Sequence, residues 1–544
     1  MNAPILFLAL SLSAPQEPRA GFDTVPLQHL LRTADAAAQL PRTTMLEVAD
    51  RDALLATSAP LDADTLLDPL RVLHGPALEA GTLRWHVAGG NLLLAGDAAA
   101  VTACRTHVQS IARMLSRPVQ IELAVWDATD RSSPACVLDG AAFAEFSKDR
   151  QPWLRLVDTV GVDQIATLSR LRKQSYVRSV AGEVAQKAFI NDPMLAEYRD
   201  GAIALAKVQP LVGSDELVVH AQFALAQRRG IPRAMQTGTA SAPDVEVPTL
   251  ETCMGTLSGR IPNGGALAVV LRGHPALGGQ IVVTLRVTAS AVATPAADKG
   301  FTVVPVGALT EMSLLPVGPS PERPDREPQS CGFVPMDQLF DLANAAGGEG
   351  QATVAAIGSH LLLTGDAKAI GNIVNLVRSL QDRLLRTTTL VATGSVPGSN
   401  EPNAERTANL YEIAAPTLIG RSLHLARLLE TNALTDVEVE IAQEASMAVP
   451  IVTALQAGTW IQATTTLVDS AAHVDLRLRC THAATPQARS IMPNGVLTPT
   501  DQTTSQVEHR GLVVNGLPIE HGDGPMLTIE GRSWRSVLQT VVRW

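Results

Sequence analysis

Apolar positions in this chain follow two periodicities, and the order in which those periodicities succeed one another occurs twice. Val101, Cys104, Val108, Ile111 and Leu115 are spaced by three or four residues, which puts them on one face of a helix. Ile370, Ile373, Val377, Leu380 and Leu384 form the same stripe further on. Each stripe follows a hairpin signal. Thr82 to Val87 alternates, Gly89-Gly90 turns and Asn91 to Ala95 returns; Thr353 to Ile357, Gly358-Ser359 and Leu361 to Thr364 do the same later. Asp97 and Asp366 stand just before the stripes, where a carboxylate accepts hydrogen bonds from first-turn amides, a structural capping role. Asn91 to Leu115 aligns without a gap to His360 to Leu384 at an offset of 269, with 10 identities in 25 positions. Val25 to Ala38 reads as a further helix, and Leu66 to Leu73 as another in the first half only.

Downstream of each helix the period shortens to two. Val180 to Ile190, Ala202 to Val208, Glu216 to Ala226, Ala266 to Leu271 and Gln280 to Val287 predict antiparallel strands. Val437 to Val449, Thr459 to Val468, His473 to Arg479, Met526 to Ile529 and Val537 to Trp544 are their counterparts. Glu183 to Leu217 matches Glu440 to Val474 at an offset of 257 with 7 identities in 35, among them Glu183/Glu440, Gln186/Gln443, Pro193/Pro450 and Gly201/Gly458. Val25-Pro26-Leu27 with Leu30 is echoed by Val334-Pro335-Met336 with Leu339. A repeat of this length signifies a duplicated domain pair. Polar loops at Arg228 to Val247 and Thr485 to Gln506 interrupt both copies, and Gly318 to Ser330, rich in Pro and charge, reads as the linker. The expected class is α+β: a tandem repeat of a small hairpin-helix module and an antiparallel β-rich module. The expected units are 21–125 and 126–317, a linker at 318–330, then 331–394 and 395–544, after an N-terminal export signal at 1–20.

Composition narrows the function. A net charge of −10, with no basic run longer than Arg228-Arg229, argues against a nucleic-acid surface. Aromatic residues are only 3%, so Ala, Val, Leu and Thr must fill the cores. The apolar run Pro4 to Leu12, followed by small residues, has the shape of a secretory signal. Five cysteines, Cys104, Cys136, Cys253, Cys331 and Cys480, show neither zinc nor disulfide spacing and read as buried small hydrophobes. No nucleophile elbow, phosphate loop or metal motif occurs. Gly255 to Gly259 has the wrong spacing for an elbow, and Glu520, His521 and Asp523 sit in a Gly-rich stretch that reads as a hairpin tip. The expected catalytic residues, cofactors and metals are therefore none. Glu183/Glu440 and Gln186/Gln443 read as solvent-facing or subunit-contact positions. Trp544, with Val542, Thr540 and Leu538 at alternate positions, reads either as a terminal membrane strand or as the last strand of a sheet.

The order of elements resembles the secretin family, the ring-forming outer-membrane channels of type II and type III secretion and of type IV pilus assembly. Asn91 to Arg117, running into Pro118 to Leu123, is similar to the family's passage from a ring-building domain into its β domain. Gly201 to Pro210, Ser214 to Val219 and Pro248 to Gly273 resemble the family's β-domain phrases; in the second half Leu467 stands where the first has Pro210. The resemblance implies a non-catalytic, homo-oligomeric component of a cell-envelope secretion or pilus-type assembly. It would lie in the periplasm or outer membrane, with other envelope secretion components as partners. A periplasmic scaffold or binding protein that kept the fold without a pore is the alternative, and a hydrolase with a divergent loop site a weaker one.

Overall fold

A computed structural model describes residues 21–27, 63–115, 117–128, 133–184, 189–230, 233–235, 245–272, 279–290, 300–310, 333–348, 350–396, 408–441, 446–468, 471–483, 489–492, 495–497, 502–529 and 532–543. The export signal, the Pro-rich linker, Gln186, Gln443 and Trp544 lie outside them.

Two small modules share one plan. In the first, Phe22–Pro26 pairs antiparallel with Asn91–Gly96, which pairs in turn with Leu83–Ala88. Helices Ala63–Glu79 and Ala98–Leu115 close one face of this sheet, and their stripes (Leu66, Leu70, Val101, Cys104, Val108, Ile111) are buried against Leu83, Leu92 and Leu94. Each fully buried leucine contributes about 2 kcal/mol of transfer free energy. In the second module Phe301–Pro305 and Ala352–Ile357 flank His360–Gly365, under helices Met336–Gly347 and Ala367–Leu384.

Four sequence expectations are corrected here. Val25 belongs to a strand, since Gly21-Phe22 and Val25-Pro26 form an edge segment whose counterpart is Gly300-Phe301 and Val304-Pro305; the rest of the expected helix, 28–38, lies outside the described residues. Val334-Pro335, offered as the echo of Val25-Pro26, instead leads into helix Met336–Gly347. That helix is also the second-half partner of Ala63–Glu79, so the extra helix is not confined to one half. Finally, Phe301–Pro305 precedes the Pro-rich stretch yet pairs within the second small sheet, so this sheet begins ahead of residue 318.

The β-rich segments do not form two separate bodies. They merge into two long sheets packed over one shared core. The first sheet joins two quartets. One is Ile165–Val184, Phe189–Pro210, Glu216–Arg228 and Thr249–Pro262; the other is Ser422–Ile441, Ser446–Val468, Ala471–Ala483 and Gln502–Val514. Each quartet is an antiparallel meander, and the last strand of the first pairs with the first strand of the second. The second sheet runs Ala266–Arg272, Gln280–Ala289, Pro118–Asp127 and Leu154–Gly161 in spatial order. Its other quartet, in the same spatial order, is Pro518–Ile529, Arg532–Arg543, Thr387–Val396 and Ala408–Leu418. Here Ala266–Arg272 pairs with Ala408–Leu418. Inward-facing residues of both quartets, such as Val219, Phe223, Val269, Leu271, Leu423, Ile461 and Leu476, fill the same core.

The long hairpins match in fine detail. Ile165–Val184 and Ser422–Ile441 start 257 residues apart, and each skips one residue of its ladder, between Val177 and Ser179 and between Leu434 and Asp436. Gly201 (φ +133°) and Gly458 (φ +140°) face Leu171 and Leu428 across their hairpins, where an added Cβ would run into the carbonyls of Arg170 and Arg427. Only glycine meets both demands at once.

Candidate assembly interface

The seam between the two quartets carries a buried network of charged side chains. Thr249 to Gly255 pairs with Leu425 to Thr431, with Cys253 opposite Arg427 and Met254 opposite Ala426. Arg427 is 2% exposed and points between the sheets. Its Nε and Nη2 donate to Glu251 Oε1 at 2.8 and 2.6 Å, and its Nη1 donates to the carbonyls of Leu271 (2.5 Å) and Gly279 (2.9 Å) on the other sheet. Glu251, equally buried, also accepts from Arg229 Nε at 2.6 Å. The buried charges are thus paired and the guanidinium clamps the two sheets together, as burial requires.

The small modules meet in a corresponding way. Phe301, Val303, Ala355, Ile357 and Leu362, on the helix-free face of the second small sheet, are buried in the core of the first module. His107 stacks on Phe301 with ring centroids 4.0 Å apart, and His107 Nδ1 lies 3.0 Å from His74 Nε2. Burial lowers the pKa of His74 and, with the neighbouring His74, that of His107 to about 4, so the pair is neutral at physiological pH.

Each surface that the internal seam covers has an uncovered counterpart. Phe22 is 53% exposed where Phe301 is 9%, and Val157 is 46% exposed where Ala414 is 4%. Arg170, 257 residues before Arg427, is exposed, and Leu93, 269 before Leu362, is half-buried. The two long sheets end at Ile165–Val184 and Leu154–Gly161 on one side and at Gln502–Val514 and Pro518–Ile529 on the other. Edge strands carry rows of unpaired amides and carbonyls, a template for further pairing. Leu512 and Val514 stand exposed on one of them.

Among the described residues no group of three or more His, Cys, Asp or Glu is placed to hold a metal. Glu520 and Asp523 lie within the edge strand Pro518–Ile529, which is bulged at both, so this stretch is not the hairpin tip expected from its glycines. Glu183 and Glu440 lie near the ends of the long hairpins, opposite Ile190 and Met447. Ser258 Oγ accepts from Leu418 N at 2.9 Å and so ties the two sheets together. Asp366 accepts from the amides of Lys368 and Ala369 at 2.9 and 3.2 Å, while Asp97 accepts from Val101 N through its backbone carbonyl. The thiols of Cys104, Cys136 and Cys253 are buried and pushed up to about 12 by burial, which keeps them protonated.

One cluster escaped the sequence reading. Ser359 Oγ donates to Asp163 Oδ2 at 2.5 Å and lies 3.1 Å from His360 Nδ1, which is 3.7 Å from the same carboxylate oxygen. The three residue types are those of a hydrolase triad, but serine and aspartate approach the same ring nitrogen. A relay needs the imidazole between them. All three are buried, and the contact fastens the second module's hairpin turn to the β body. Asp163 and Ser359 are 196 residues apart, so no local spacing announces them.

No family model matches the chain, and no curated protein matches it. Among solved structures it is similar to the InvG secretin-domain β-barrel of the Salmonella SPI-1 injectisome: 12% identity over 45% of this chain and 87% of that one, TM-score 0.24. It is also similar to the V. cholerae type IV competence pilus secretin PilQ (11%, 38% and 72%, TM-score 0.16). A third is the ETEC pilotin-secretin AspS-GspD complex (7%, 96% and 87%, TM-score 0.19). Scores this low give these likenesses no weight of their own.

Proposed function

We propose that this chain is a non-catalytic, secretin-like component of a cell-envelope secretion or pilus-type assembly, working through oligomerisation of two tandem units. The observation that carries this reading is the pair of stacked sheets that are open at both ends, on a body whose small modules present matching uncovered faces. Work done by such a body is geometric: sheet edges add strands from neighbours, and the small modules stack beside them. The apolar N-terminal run supports export, and the proposed location is the periplasm or outer membrane, with other envelope secretion components as partners. The secretin-type phrases at Asn91 to Leu123, Gly201 to Pro210 and Pro248 to Gly273 support the same class.

The test is negative-stain electron microscopy with mass determination on the full chain purified from detergent-extracted envelopes. Closed rings are the expected result. A monomer in the soluble fraction would overturn the proposal in favour of a scaffold that kept the fold without a pore.

A further inference from the structure

We infer that the internal seam is a tethered copy of the contact between neighbouring chains, so that assembly is head-to-tail in a defined register and each chain supplies two staves. This rests on the oligomeric reading above and specifies its partner as a second copy.

Three separate contacts obey one operation. In the first long sheet, the last strand of the first quartet meets the first strand of the second. In the other long sheet, Ala266–Arg272 of the first unit meets Ala408–Leu418 of the second. In the small modules, the helix-bearing first module covers the sheet face of the second. Applying that operation once more brings Gln502–Val514 against Ile165–Val184 of the next chain. It brings Pro518–Ile529 against Leu154–Gly161, and the second module's helices onto the face that carries Phe22 and Leu93. The surfaces left open are the ones this operation would use, and none is needed twice. It covers Phe22, Val157 and Leu342, three of the large exposed apolar side chains. Repetition of a heterologous contact yields a ring when its rotation closes.

The ladders also fix the register. Following equivalent pairings across each quartet, Met254 corresponds to Gln506 and Ala426 to Ser169, so Gln506 should oppose Ser169 of the next chain. Both residues are exposed. The two seams differ in one respect. Glu251 corresponds to Thr503, so the contact between chains lacks the acid that pairs with Arg427, and Arg170 takes the place of that arginine without its partner. The inter-chain contact is therefore expected to be the weaker of the two.

The test uses cysteine pairs in the full chain under mild oxidation, with linked peptides identified by mass spectrometry. Met254→Cys with Ala426→Cys reports the internal geometry and should close within one chain. Ser169→Cys with Gln506→Cys should link different chains into ladders, at least tenfold more than the off-register pair Ser169→Cys with Arg510→Cys. Disulfides of Ser169→Cys to itself, or preferential linkage to Arg510→Cys, would overturn the head-to-tail register. Rings that form without the Ser169 to Gln506 link would sink this inference and leave the oligomeric function standing. A chain that stays monomeric while its internal pair closes would sink both.

Discussion

Replacing Glu251 with Gln should cost more than replacing its partner Arg427 with Met, and the two costs should not add. Glu251 and Arg427 are each 2% exposed, and both guanidinium contacts fall on one carboxylate oxygen. Glu251→Gln leaves Arg427 buried without a counter-charge, a change that typically costs about 3–5 kcal/mol. The lost contact to Arg229, whose side chain is partly exposed, adds at most about 1 kcal/mol. Arg427→Met leaves Glu251 still paired with Arg229, while the carbonyls of Leu271 and Gly279 lose a donor. That predicts a smaller loss of about 2–3 kcal/mol. In the double variant no unpaired charge remains, so its cost should fall about 2 kcal/mol or more below the sum. Urea unfolding followed by tryptophan fluorescence, with Trp126 buried in the β body, reads these differences provided the slopes stay equal. A Glu251→Gln cost under about 1 kcal/mol, or strict additivity, would refute the view that this pair clamps the seam.

Acidification should weaken the fold. Burial, then Arg421 and Lys207, depress His220 to about 3, and burial holds His424 and His107 near 4. The unfolded chain takes up these protons near its ordinary histidine pKa of about 6.5 while the folded chain resists, so stability is full above that value and falls as pH drops towards 4. A urea midpoint that stays flat from pH 7.5 to 4.5 would contradict this, and His107→Phe should flatten part of the slope. In the unassembled chain, Leu362→Asp should abolish the packing of one small module on the other, whereas Leu93→Asp, at the matching but half-buried position, should cost under about 2 kcal/mol; equal protease sensitivity of the two variants as monomers would argue against that packing. Gly458→Ala should destabilise by more than about 1 kcal/mol because of its positive φ, while Gly371→Ala, mid-helix with open space around it, should be neutral or stabilising by up to about 1 kcal/mol. Thermal denaturation of the pair decides it.

The stripes, their hairpins and some of the quartet strands were legible in the sequence because periodicity is a local property. But Val180 to Ile190 and Val437 to Val449, expected as single strands, each cross the end of a hairpin, where Val184 pairs with Phe189 and Ile441 with Ser446. Gln502–Val514 begins inside the expected loop Thr485 to Gln506. Val101 to Leu115 and Ile370 to Leu384 fold as their spacing requires. Edge strands were less legible. Phe22–Pro26 lacks a clean alternation and ends in proline, so its match to Phe301–Pro305 is readable only through the glycine, phenylalanine, valine and proline they share. The joining of two β segments into one body could not be read from either segment alone, since it depends on Ala266–Arg272 meeting Ala408–Leu418 across about 140 residues of chain. The Arg427, Glu251 and Ser359 contacts belong to the same class: each residue is unremarkable among its neighbours, and only long-range pairing gives it a role.

The residues skipped in the two long hairpins, Arg178 and Thr435, take up a position of sequence without a place in the ladder: Val177 and Ser179, like Leu434 and Asp436, pair with consecutive residues of the opposite strand. The ladder beyond each skip therefore keeps the alternation that its partner strand dictates. Deleting either residue would leave the pairs beyond it as they are, whereas losing one residue elsewhere in the same strands would set every residue from there to the tip against a new partner. Arg178 and Thr435 are thus the positions at which each hairpin should best tolerate a single-residue deletion.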